Sequence, residues 1–242
     1  MKRNTTAVMP VLGFALIAGA VGIQAAEYDQ WSALYDQAPT ILIREPRGVI
    51  KGSLPEDRNI IQIRLTDVAK YTGHVCAGIA SGYMMTHLAL QVLYPESIPE
   101  RGQIRIAGSA LKEPVCVAAY ITGADPHGHE GNDMVIDPSL STGKPGDVVM
   151  VFQRKDTGKS VKTIFHKFNL VPPDTARKIK NLVYHKIPEG RASYAEKEYV
   201  RKTVQSYVKK VILDTPEDVI EIVIFVPFDE GEYEFPKAER EK

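Results

Sequence analysis

Between residues 75 and 93 apolar side chains occupy every side of a helical wheel: Val75, Ile79, Met84, Met85, Leu88, Leu90, Val92 and Leu93, against Ser81, Thr86, His87 and Gln91. A helix with no polar face is buried all round. The stretch therefore predicts a central helix that begins near Val75. Ahead of it, short apolar runs around Pro46 predict edge strands at 40–43 and 47–50, and partial alternation predicts a firmer strand at 59–65. Thr66-Asp67 reads as a turn or short helical cap. Behind it, a strand is expected at 103–107. Pro114 before and Gly123 after an apolar run predict a short helix over 115–122, with a strand as the competing assignment. Further strands follow at 134–136, 147–153 and 161–170, the last two joined at the Asp156-Thr157-Gly158 turn. By period two Ile164, His166, Phe168 and Leu170 share a face, which makes His166 a packed, hydrogen-bonded histidine.

Pro172-Pro173 interrupts the pattern. Asp174 caps an expected helix to about His185. Ser193 and Glu196 form a capping-box pattern for a helix to about Leu213, with Val200, Val204, Val208 and Val211 along one side. A final strand at 219–227 and a charged tail from 229 close the chain. The expected class is α+β: a mixed or antiparallel sheet packed on a long apolar central helix, with a C-terminal helix-helix-strand extension.

The amino-terminal residues fall outside this pattern. Lys2 and Arg3, an apolar run over 11–23 and the exit Gln24-Ala25-Ala26 read as a secretory signal peptide over 1–26. Its apolar core is short for a bilayer span of ~20 residues. The expected organisation is this leader, an α+β domain over 27–172, and an extension with its tail over 173–242. The expected location is periplasmic or secreted, with no membrane span in the mature chain. At 44% hydrophobic and 25% charged the composition is that of a folded globule and not a disordered chain. Lys and Arg balance Asp and Glu at 30 each, and no basic run tracks a phosphate backbone, so nucleic acid is excluded as a partner.

Candidate chemistry gathers at the mouth of the central helix. His74 and Cys76 flank the turn into it, and imidazole with thiolate suits zinc or another transition metal. A cysteine in a first helical turn meets unpaired N–H groups and the positive end of the macrodipole, which lower a thiol pKa. The only other cysteine is Cys116, at the start of the 115–122 helix. In an exported chain a Cys76–Cys116 disulfide is the competing reading. His127 and His129, two apart in the polar loop ADPHGHEGN, could fold over a metal, with Glu130 and Asp133 as orienting acceptors. His87 returns to the Cys76 stripe but ~16 Å along the axis, too far to share an ion.

The string Gly73-His74-Val75-Cys76-Ala77-Gly78, then Gly82-Tyr83 and a long apolar helix, resembles the opening motif of the FmdE family, named after a subunit associated with formylmethanofuran dehydrogenase. Arg101-Gly102-Gln103-Ile104, Cys116 and the stretch from Arg154 to Lys159 continue the resemblance. Ala77 stands where relatives usually have Pro, and Ala119 where they commonly have Asp. The resemblance implies Cys116 as a third metal candidate and a homodimer. No cysteine follows Cys116, so the cysteine-bearing zinc module that relatives often carry is not expected. The resulting expectation is an exported metal-binding protein, zinc being the default ion, with a small-molecule ligand as a further partner. Two alternatives stay open: a metal- or thiol-dependent enzyme, and a non-catalytic sensory module holding a haem-like ligand. The molybdenum or tungsten chemistry of the family name belongs to a cytoplasmic compartment and does not transfer to an exported chain.

Overall fold

The computed structural model describes residues 31–124 and 133–224. A 3-10 turn at Tyr35–Gln37 leads to β1 (Ile41–Arg44), α1 (Pro46–Ile50), β2 (Ile60–Ile63) and α2 (Leu65–Thr72). The central helix α3 (Ala77–Leu93) is followed by β3 (Ile104–Gly108), α4 (Glu113–Thr122) and β4 (Met134–Ile136). Then come β5 (Asp147–Arg154), β6 (Ser160–His166), α5 (Lys167–Leu170), α6 (Pro173–Asn181) with a π-helical turn at Leu182–Lys186, α7 (Tyr194–Leu213) and β7 (Ile220–Ile224).

β1 and β2 form a separate antiparallel pair, and the main sheet runs β4-β3-β5-β6-β7. Its β3/β4 edge is parallel and every other neighbour antiparallel, so the sheet is mixed and the fold is α+β. By period two and register, Val148, Met150 and Phe152 of β5 lie beside Phe165, Thr163 and Val161 of β6, all buried. The opposite sheet face carries a smaller cluster around Ala107 and Val151.

α3 packs against β5, β6 and β7 and is flanked by α4 and α7. Ile79, Ala80, Tyr83, Met85 and Ala89 are at most 1% exposed within this single chain, so the helix that lacks a polar face is covered by its own fold. The stretch around Arg154 closes its far end. Arg154 Nη1 donates to Leu93 O at 2.9 Å, its guanidinium lies 4.2 Å from the Tyr94 ring centroid, and its Nε donates to Asp156 Oδ1 at 2.9 Å. A carbonyl orphaned by the end of α3 is thereby satisfied. Beyond Pro172 the chain comes back to the core: α7 packs on α3, and β7 pairs with β6 as the edge strand.

Several local expectations are corrected. The run 47–50 is helical, because Pro46 sits at the first helical position and the Glu45 carboxylate accepts from Arg47 N–H at 3.1 Å. β6 stops at His166, and Phe168 has left the strand to pack on Gly146. There the His166 ring is tied across neighbouring strands, Nδ1 to Asp147 at 3.0 Å and Nε2 to Glu221 at 3.1 Å, a hydrogen-bonded histidine as the pattern implied. Pro172 and not Asp174 caps α6. The capping box of α7 forms as expected between Ser193 and Glu196.

Candidate metal centre

Three elements meet at one point. α2 ends in Gly73, whose φ of +76° and N–H to Ala69 O at 2.8 Å make a left-handed helix cap. A side chain would be strained there. The cap turns the chain so that His74 projects beside the start of α3, while Val75, 3% exposed, pins the turn into the core. The His74 ring places Nδ1 3.2 Å from Thr72 O. Donation from that nitrogen leaves the lone pair on Nε2, the tautomer a metal ligand needs. Cys76 is the extended N-cap of α3, one position before the helix begins and not within its first turn.

The third arm arrives from α4. Glu113 occupies the first helical position after Lys112, and the Cys76 thiol donates to its Oε2 at 3.5 Å. Ligand atoms of His74, Cys76 and Glu113 all lie within 4.8 Å of one another. His74 and Glu113 are exposed and Cys76 is half-buried, so the group opens to solvent on one side.

Two glycines permit this convergence. A Cβ at Gly82 would lie 2.5 Å from Pro114 Cα and 2.8 Å from Pro114 O, backbone atoms that cannot yield without separating α3 from α4. A Cβ at Gly78 would overlap Glu113 Oε2 and stand 3.7 Å from Cys76 Sγ. The four-residue spacing puts both glycines on one face of α3, which lets α4 lie close and leaves room for its carboxylate. Tyr83, next in sequence, locks the helix from another side: its hydroxyl lies 2.6 Å from Pro39 O and 2.9 Å from Ile63 O.

The Cys76 thiol is not the activated one that helix position alone implies. Burial first, and then the Glu113 carboxylate, push its pKa up from 9.0 to about 11, against the N–H groups of Ile79 and Gly78, which pull it down. Beside an anion and partly out of water, sulfur keeps its proton. A bound cation reverses that balance, since it neutralises the carboxylate and takes the thiolate as ligand. Imidazole nitrogen, thiolate sulfur and carboxylate oxygen together suit a borderline ion such as zinc.

A family model described as "FmdE, Molybdenum formylmethanofuran dehydrogenase operon" matches residues 71–221. The chain belongs to the FmdE family. A comparison with curated proteins finds no match. The matched span begins just ahead of the Gly73 cap and ends within β7, so it contains all three arms of the site and the sheet beneath them.

Within this FmdE domain the predicted residues separate. His74 and Cys76 come together. Cys116 lies three residues beyond Glu113 on α4, half-buried and outside the three-residue group, and it forms no disulfide with Cys76. His127, His129 and Glu130 lie outside the described residues. Ala124, the described residue before their segment, follows Gly123, the cap at the end of α4 opposite Glu113. Asp133 is 4% exposed, and its carboxylate is held by Lys155 Nζ at 2.6 Å. His87 sits on α3 away from the group, and burial lowers its pKa. Glu113 is the residue that sequence reasoning missed. Its signal was an acid at the start of the Pro114 helix, 37 residues from Cys76, with two glycines on α3 to receive that helix.

Proposed function

We propose that this FmdE-family chain is a transition-metal-binding protein whose site is His74, Cys76 and Glu113, with zinc as its ion. The observation that carries the reading is the convergence of three chemically suited ligand atoms from three separate elements within 4.8 Å. Three protein donors with an open side leave a coordination position for water or a small molecule, the arrangement of catalytic and not of closed structural zinc sites. That open side also favours a second reading, a metal-dependent enzyme acting on a small molecule. When bound, zinc would lower the pKa of a water in the fourth position.

The basic, apolar and small-residue succession over 1–26 supports export, and intact mass from an exporting host should lack it. The family resemblance supports a homodimer, to be checked by light scattering. Among the described residues no helix is long and apolar enough to cross a membrane.

Metal analysis of the purified protein tests the main reading. One zinc or similar ion per chain is expected, lost in Cys76→Ser and in His74→Ala and weakened in Glu113→Gln. In denaturant without reductant both cysteines should titrate as thiols. Unchanged metal content in all three variants would overturn the assignment.

A further inference from the structure

We infer that the stacked pair Tyr71–Tyr120 is the positioning device that sets His74 at its distance from Glu113; the inference rests on the metal-site reading above. The donors stand on different elements, so their spacing depends on how α2 is docked against α4. The hydrogen bonds of the His74 ring and carbonyl are made to Thr72, inside the same turn. They orient the imidazole on α2 without tying α2 to α4. Leu65, Val68 and Ala69, all fully buried, seat α2 in the core, and the direct ring contact between α2 and α4 is made by Tyr71, in the last turn of α2 and three residues before His74. Its ring lies 4.7 Å from that of Tyr120 with an interplanar angle of 11°, a stacked geometry of the favourable kind.

Tyr120 is the fixed half of the pair. Arg101 Nη2 donates to its carbonyl at 2.6 Å, the guanidinium lies 5.9 Å from its ring centroid, and Arg101 is anchored in turn on Glu45 at 3.1 Å. Burial first, and then the Asp67 carboxylate, raise the Tyr120 pKa. Glu113 and Tyr120 are seven residues apart and share a stripe of α4. The rigid helix thus carries both the third ligand and the platform on which the His74 arm is seated. Tyr71 is 52% exposed, so removing its ring takes little cover from the core and acts chiefly on the seating.

Cobalt(II) titration tests this, with the sulfur-to-cobalt charge-transfer band as the readout of coordination. Tyr71→Ala is expected to weaken cobalt binding about three- to tenfold and to alter the band. Tyr71→Phe should restore both, because the ring and not the hydroxyl makes the stack. Tyr71→Leu, which keeps bulk without a planar ring, should behave as Tyr71→Ala does, and Tyr194→Ala, at a tyrosine 79% exposed on α7, should match the parent. Parental affinity and spectrum in Tyr71→Ala or Tyr71→Leu would overturn the inference and leave the metal site standing, as would equal losses in Tyr71→Ala and Tyr71→Phe. A parent chain whose cobalt binding is indifferent to Cys76→Ser would instead remove the metal reading itself.

Discussion

At Cys76 a metal must displace a proton. With the thiol pKa pushed up to about 11 by burial and by Glu113, the sulfur is protonated at neutral pH and each ion bound releases that proton. Zinc affinity should therefore rise about tenfold per pH unit between pH 7 and 9, measured by competition with a chelator. A flat profile would mean that the thiol is not a ligand. The same shift governs the metal-free fold. A raised folded pKa gives a stabilisation that is complete below the unfolded value of 9.0 and is lost as pH climbs through about 11. Across that window the parent should lose on the order of 2 kcal/mol more than Cys76→Ser does, read from denaturant midpoints. Gly78 is the other residue with a specific outcome. Alanine there should leave stability unchanged or raise it by up to about 1 kcal/mol, because the overlapping atom, Glu113 Oε2, ends a flexible side chain. The displaced carboxylate should nevertheless weaken zinc binding about 10- to 100-fold.

Between elements, the same substitution one turn later has the opposite signature. At Gly82 the obstruction is the Pro114 backbone, with Cα at 2.5 Å. Gly82→Ala must push α4 off α3, and it should cost about 1–3 kcal/mol of stability along with metal affinity. A variant as stable as the parent would show that the helices are not locked at this contact. The turn between β5 and β6 offers a second case. Lys155 holds Asp133, whose side chain is 6% exposed, at 2.6 Å. Lys155→Met leaves that charge buried and unpaired and should cost about 3 kcal/mol, while Asp133→Asn in the same chain should recover part of the loss. Equal urea midpoints for Lys155→Met and the parent would contradict the pairing.

For the whole molecule, near-neighbour chemistry in the sequence already determined a good deal. The absence of a polar face made α3 a buried helix, Ser193 and Glu196 marked the start of α7, and Pro114 with Gly123 bracketed α4. His74 and Cys76 could be paired because only Val75 separates them. Such features are set by periodicity, capping and turn stereochemistry, all of which act within a few residues. Tertiary structure alone decided the rest. Pro172-Pro173 interrupts the pattern, yet nothing local announces that the chain returns to add β7 beside β6. The apolar helix could have been covered by a second copy, and it is covered by the sheet, α4 and α7 of its own chain. Glu113 reaches Cys76 only because Gly82 lets Pro114 approach and Gly78 leaves space for a carboxylate. The ionisation of Cys76 follows from that approach: helix position favours a thiolate, but burial and an anion 3.5 Å from the sulfur outweigh it. The strength of both effects depends on distance through space and on exclusion of water, and neither is set by separation along the chain.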